Sequence, residues 1–298
     1  MAAPDTSAFA ALPQGLPQRR PRDDEIDVYG LTHPGRVRTE NQDHFLICSL
    51  RKEIVVHGTS LAETGFLQSE SERLAFLAMV ADGVGGAVKG AEASRATLET
   101  VAQYVSRSMR CYYASEYAGV RGFSEALHDA AVECHADLLR RGEEQPDYRG
   151  MATTLTLFLG VWPRAYLLQV GDSRCYLLRD DELIQITRDQ TVAQELVDLG
   201  VMKPDHAAST RLAHTLSSSI GGRQSSPVVS QLELNWGTVL LLCSDGLTNH
   251  VSDERIRDRL RSMKSASQAC KDLLQEALEG GGSDNITIIV ARAFPRDT

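Results

Sequence analysis

The chain has 298 residues, of which 42% are hydrophobic, and its 31 Lys and Arg face 40 Asp and Glu for a formal net charge of −9. That length and apolar share suffice for one large core. The acidic balance argues against a nucleic-acid surface, which needs clustered Lys and Arg, and no apolar run approaches the roughly 18 residues that suggest a membrane span.

Residues 1–25 are rich in Ala, Pro, Gln and Gly and end in Arg19, Arg20, Arg22, Asp23 and Asp24, so they read as a flexible tail. The start lacks the cationic and apolar stretches of a signal peptide. Residues 28–31 and 43–47 read as strands, and residues 51–73 as a polar surface insertion. Residues 74–81 form a short apolar run of strand length. Residues 89–109 and 124–141 place apolar side chains at helical spacing and predict two amphipathic helices. Four strands follow at 153–159, 165–170, 175–178 and 183–187, paired by joints of hairpin length. Residues 188–227 are mixed, with a helical piece at 192–199 and a turn at Gly221-Gly222. A strand at 239–243, helices at 253–263 and 267–278, and a closing strand at 286–291 complete the series. Helix pairs alternating with hairpins predict an α+β fold of sheets packed together with helices outside. No Pro/Gly-rich linker divides residues 26–295, which therefore read as one domain. Cys48, Cys111, Cys134, Cys175, Cys243 and Cys270 have no CxxC spacing. They read as buried thiols of a reducing cytoplasm rather than zinc ligands.

Four strand ends carry an Asp beside or near a Gly: Asp82-Gly83, Gly171-Asp172, Asp245-Gly246 and Gly282-Ser283-Asp284. A fifth, Asp43, lies in Glu40-Asn41-Gln42-Asp43. Any one of them alone is an ordinary turn residue. Their recurrence at the ends of apolar strands suggests that they gather on one sheet edge, where clustered carboxylates repel unless a cation intervenes. An all-oxygen set favours Mg²⁺ or Mn²⁺ over zinc. The Asp82-Gly83-Val84-Gly85-Gly86 run lacks the Lys-Ser/Thr of a P-loop and the spacing of a dinucleotide fingerprint. Arg38 precedes the Asp43 motif and is either a surface side chain or a fork for phosphate oxygens. No Gly-x-Ser-x-Gly elbow, phosphate-loop cysteine or histidine pair offers another nucleophile, which leaves a metal-activated water.

Arg38-x-x-Asn41-Gln42-Asp43, Asp82-Gly83-Val84-Gly85-Gly86, Gly90-x-Glu92-Ala93-Ser94, Gly150-Met151-Ala152-Thr153-Thr154, Gly171-Asp172-Ser173-Arg174, Cys243-Ser244-Asp245-Gly246-Leu247 and Gly282-x-Asp284-Asn285-Ile286-Thr287 occur in that order. Together they resemble the metal-dependent 2C-type Ser/Thr protein phosphatases, the compact bacterial members in particular. The resemblance implies a four-layer α-β-β-α sandwich with two central antiparallel sheets. It implies hydrolysis of phosphoserine and phosphothreonine on proteins by a water bridging two Mn²⁺ or Mg²⁺ ions. Asp82, the Gly83 carbonyl, Asp245 and Asp284 match the family's metal ligands, and Asp43 the carboxylate that supports the second metal. Asp172 matches the holder of a third, weaker metal. Arg38 matches the phosphate-binding arginine, and residues 189–227 the flap beside the site. Val84 stands where many members carry a His. The expected setting is a cytoplasmic monomer acting on substrates of a Ser/Thr kinase. The alternatives are a non-catalytic phosphoprotein-binding relative and a two-metal hydrolase of small phosphates.

Overall fold

The computed structural model describes residues 19–52, 72–114, 120–208 and 210–295. A 3₁₀ turn at Asp23–Glu25 leads into β1 (Ile26–His33), followed by β2 (His44–Lys52), β3 (Glu72–Ala81) and the two-residue β4 (Gly83–Val84). Two long helices follow, α1 (Ala87–Ala114) and α2 (Val120–Glu144). Next come β5 (Ala152–Thr153), β6 (Leu155–Val161), β7 (Arg164–Val170), β8 (Arg174–Arg179) and β9 (Glu182–Gln185). Two short helices, α3 (Val192–Asp198) and α4 (Pro204–Ala208), precede β10 (Val228–Glu233) and β11 (Val239–Cys243). The series ends with α5 (Asp245–Thr248), α6 (Asp253–Arg261), α7 (Ala266–Glu279) and β12 (Ile286–Ala293).

The strands form two five-stranded antiparallel sheets, ordered β1-β12-β11-β8-β9 and β10-β7-β6-β3-β2. Because side chains alternate across a strand, each central strand serves two apolar layers. Leu77 and Met79 of β3 face α1 and α2, packing with Val101, Val105, Leu127 and Leu138. Ala78 and Val80 point the other way, into the space between the sheets with Leu177, Leu242 and Ile289. Likewise Leu241 and Cys243 of β11 meet Ile256, Leu260, Leu273 and Ala277 of α6 and α7. Three apolar layers between four structural ones make the expected α-β-β-α sandwich. Ser252 and Ser265 cap α6 and α7 by accepting from the backbone N–H three residues on.

Expectation and structure differ in a few places. The predicted tail of residues 1–25 ends earlier, since residues 19–25 belong to the folded body. Glu25 is fully buried and takes a two-pronged contact from Arg19, with 2.6 Å in each arm, while Arg19 also lies over the Trp236 ring. The polar insertion is framed by longer strands than its composition suggested, and residues 53–71 of it lie outside the described residues, as do residues 1–18 of the tail. β4 and β10 had no counterpart in the sequence pattern, and the strand expected at 153–159 is broken at Thr154 into β5 and β6. Of the cysteines, Cys134, Cys175, Cys243 and Cys270 are buried free thiols and Cys48 is half-buried, while the Cys111 side chain is outside the described set. Among the described residues, no helix is long and apolar enough to cross a membrane.

Candidate active site

Strand register brings the aspartates together. His44 at the start of β2 pairs with Ala81 at the end of β3, so Asp43 and Asp82, each one residue further, lie side by side. In the other sheet Cys243 pairs with both Ile288 and Arg174. Asp245, Asp284 and Asp172, which sit two to four residues from those pairs, therefore collect at the same end of the sandwich.

Their surroundings set carboxylate against carboxylate. Asp43 is 2% exposed, and its Oδ2 accepts from Ser244 Oγ at 2.7 Å and Thr287 Oγ1 at 2.8 Å. Its buried Oδ1 has no hydrogen-bond partner among the described residues. Burial pushes the Asp43 carboxyl up to about 6, with the Asp245 charge adding to the rise and the two hydroxyls opposing it. Asp82 is pushed well above the usual carboxylate range by burial, then by the charges of Asp43, Asp245, Asp172 and Asp284. Asp172 is raised by burial, then by Asp245 and Asp189. Asp245 is raised by burial and Asp284, against the Asn249 amide that donates to its Oδ2 at 3.0 Å. Buried like charges of this kind must take up protons or a counter-ion. The orphaned Asp43 oxygen and the all-oxygen donor set suit a hard divalent cation. Among the described residues no three His, Cys, Asp or Glu side chains already converge as a cage. Cations held here would keep several water ligands, as Mg²⁺ habitually does.

The backbone around Asp82 is held firmly. Its N–H donates to Thr154 Oγ1 at 3.0 Å, and its C=O accepts from Thr154 N at 2.9 Å and Thr153 Oγ1 at 2.8 Å. At Gly83 a Cβ would fall 2.2 Å from the Gly90 carbonyl oxygen and 2.8 Å from that of Gln42, so no side chain fits. The Gln42 amide, turned to satisfy its hydrogen bonds, donates to the carbonyls of Gly86 at 3.0 Å and Gly83 at 3.3 Å. Arg38 sets its fork on Asp284, Nε to Oδ1 at 2.9 Å and Nη2 to Oδ2 at 2.8 Å. Its side chain is 51% exposed, so the guanidinium stands at the rim of the site.

Several contributors escaped sequence reasoning. Ser244, Thr287 and Thr154 hold the aspartates in place; they lie within the ordered motifs, but no sequence signal assigned them a role. Asn285 staples the first motif to the last. It accepts from Gln42 N at 2.8 Å and donates to the carbonyls of Glu40 at 2.9 Å and Pro34 at 3.0 Å. His214, in the 3₁₀ turn Arg211–His214, is exposed and near enough for its charge to act on Asp245. Nothing in its spacing marked it.

Residues 64–280 match the family described as Protein phosphatase 2C. The chain belongs to that family. It is 35% identical over 252 residues to the serine/threonine protein phosphatase PstP of Mycobacterium tuberculosis, which is 83% of this chain. It spans about half, 47%, of that relative's length. The fold superposes on the catalytic domain of PstP solved with two manganese ions, with TM-score 0.67 and 30% identity over 91% of this chain and 99% of that one. A serine/threonine phosphatase of S. agalactiae gives TM-score 0.74 at 25% identity over 90% of this chain and 99% of that one.

Proposed function

We propose that this chain is a catalytic, metal-dependent phosphatase that removes phosphate from phosphoserine and phosphothreonine of proteins. The observation that carries the reading is the set of buried, mutually repelling aspartates with one orphaned oxygen, placed beside the exposed Arg38 fork. Asp82 with Asp245 and Asp284 would hold one cation and Asp82 with Asp43 a second, the Gly83 carbonyl would add a ligand, and Asp172 would hold a third and weaker cation. When bound, Mn²⁺ or Mg²⁺ supplies the charge that makes water nucleophilic near neutral pH and offsets charge on the phosphoryl oxygens. Ser244 and Thr287 fix Asp43 so that its free oxygen faces the site. Arg38 can exchange the Asp284 carboxylate for phosphoryl oxygens with the same two-pronged geometry. Val84 is 41% exposed and offers no proton, so the leaving oxygen is not protonated from that position. Residues 26–295 work as one domain with residues 189–227 as its flap. The same proposal covers a cytoplasmic monomer opposing a Ser/Thr kinase, which rests on the order of the motifs.

The test is turnover on a phosphothreonine peptide against a panel of nucleotides, with Mn²⁺ and then with chelator. Peptide turnover that needs the metal is the expected result. Preference for nucleotides would assign a small-phosphate hydrolase, and peptide binding without turnover would assign a non-catalytic relative.

A further inference from the structure

At the other end of the sandwich, roughly 20 Å along β3 from Asp82, the two sheets part around a cavity of about 340 Å³. Phe76, Phe158, Trp162, Leu177 and Leu240 supply much of its wall. Cavities of about 300 to 1,000 Å³ with apolar, aromatic walls and a few placed polar groups are where small molecules bind. Asn235 and Thr238 are neutral polar groups of the lining, and the charged groups are of one sign. Among the described residues, Arg20, Arg73 and Arg292 line the cavity and no carboxylate does, in a chain whose net charge is −9.

The guanidiniums are held in position by the fold. Arg73, with a side chain only 11% exposed, donates from Nη1 to Asp23 Oδ1 at 2.7 Å, and from Nη2 to the Pro21 carbonyl at 2.5 Å. Arg292 donates to Asp27 Oδ2 at 3.2 Å and to the Lys264 carbonyl at 2.6 Å. Arg20 donates to the Arg73 carbonyl at 2.7 Å. A guanidinium has five N–H donors, and the bonds of Arg73 and Arg292 leave donors for an anion. Asp23 and Asp27 hold two of these guanidiniums from outside the cavity, so what faces inward is N–H donors rather than carboxylate. An apolar interior rimmed by such donors selects a ligand with an apolar tail and an anionic head, since the tail leaves water while the head keeps charge-assisted hydrogen bonds.

We propose that this cavity binds a free medium-chain acyl carboxylate, tail between the sheets and head on the arginine rim, at a site separate from the aspartates. The chain carries its own reporter. Its only two tryptophans are Trp162, in the cavity wall, and Trp236, whose ring meets Trp162 edge-on with centroids 5.7 Å apart.

The experiment titrates octanoate, decanoate and dodecanoate, below their micelle concentrations, into the full chain while following tryptophan emission. The expected result is a saturable change whose affinity tightens about fourfold per methylene. Arg73→Gln should weaken decanoate binding between roughly tenfold and a hundredfold and leave decanol binding as it was. Ala291→Leu, which fills part of the cavity, should weaken every member of the series. Arg73→Gln lies at the rim and tests the head group even if Ala291→Leu fails to fold. An emission that does not respond to any of the three carboxylates overturns the proposal, as does equal affinity for decanol and decanoate in the unaltered chain. Binding seen only after residues 1–18 are deleted would assign the cavity to that segment, which enters the described structure at Arg19 beside the rim, and would also overturn it.

Discussion

The two ends of the sandwich handle charge in opposite ways. At one end Asp82 is raised by burial and then by four other aspartates, and Asp43 sits at about 6 because burial outweighs the two hydroxyls on it. At the other end acids meet guanidiniums. Glu25 is lowered to about 2, by its hydrogen bonds from Arg19 first, and Asp23 is lowered by Arg51 and Arg73. Both ends are built from the termini of the same β-strands, so the backbone does not dictate the difference. The lesson is that paired charge stabilises the folded chain by itself, whereas like charge gathered in a buried place is a debt that only a proton or a cation settles.

The largest expected effect tests the acidic end. Asp82→Ala should lower kcat by about a thousandfold or more, because several kcal/mol of charge stabilisation depend on the cations that Asp82 would hold. The same variant, melted in chelator, should be no less stable than the parent, since a repelling carboxylate is gone. Near-normal turnover at saturating Mn²⁺ would remove Asp82 from the site.

Arg38→Ala comes next. It loses a charge-assisted contact to substrate worth about 1.5 to 3 kcal/mol, or roughly one to two decades in kcat/KM. Calorimetry should find Mn²⁺ bound no more weakly, because Asp284 loses a competing cation. An unchanged kcat/KM would return Arg38 to the surface.

The third effect is on stability against pH, and its sign differs between the ends. Asp43 has a folded value near 6 against an ordinary one near 4. Between those values the folded chain holds more protons than the unfolded one, so metal-free stability falls as pH rises through that window. Asp43→Asn keeps an acceptor for Ser244 and Thr287 and removes the charge. In chelator at pH 7 it should raise stability by on the order of 2 kcal/mol, with little gain at pH 4, both read from thermal melts. A variant less stable than the parent at pH 7 would contradict the repulsion argument.

Glu25→Gln is the smallest effect and the counterpart at the paired end. The depressed Glu25 contributes stability that is present above its ordinary value and lost as pH falls toward about 2. Arg19 is 44% exposed, and solvent screening limits the pair, so the loss at pH 7 should be about 1 kcal/mol or less. Turnover should not change. A Glu25→Gln chain that lost activity would show that the two ends communicate.

Much of this was legible in the sequence because the acidic end is made of strand termini, and apolar strands announce where they stop. Asp82, Asp172, Asp245 and Asp284 each adjoin such a stop, and the structure puts them together with Asp43. What stayed hidden was small or edge-like. β4 and β5 span two residues each, too short for any period. β10 pairs with β7 alone, and its residues are mostly partly exposed, so its pattern is weak. The tail reading ran through Glu25 because composition cannot show that Arg19 folds back over it. Arg38 was placed at the site, but its engagement with Asp284 depends on two loops 246 residues apart.

The position of β12 has a consequence for synthesis. The last strand in the series lies between β1 and β11, and β1 has no other neighbour in its sheet. Asn285, just before β12, ties down the loop that carries Gln42, 243 residues earlier. On the ribosome, β1 and the first motif therefore wait without their partner while everything from β2 to α7 is made, exposed to chaperones and to mispairing with other strands. Asp284 and Asn285 come just before β12, so a nascent chain that has not reached residue 284 carries four of the five aspartates, and one that stops short of β12 carries all five without the strand that sets Asp284 against the others.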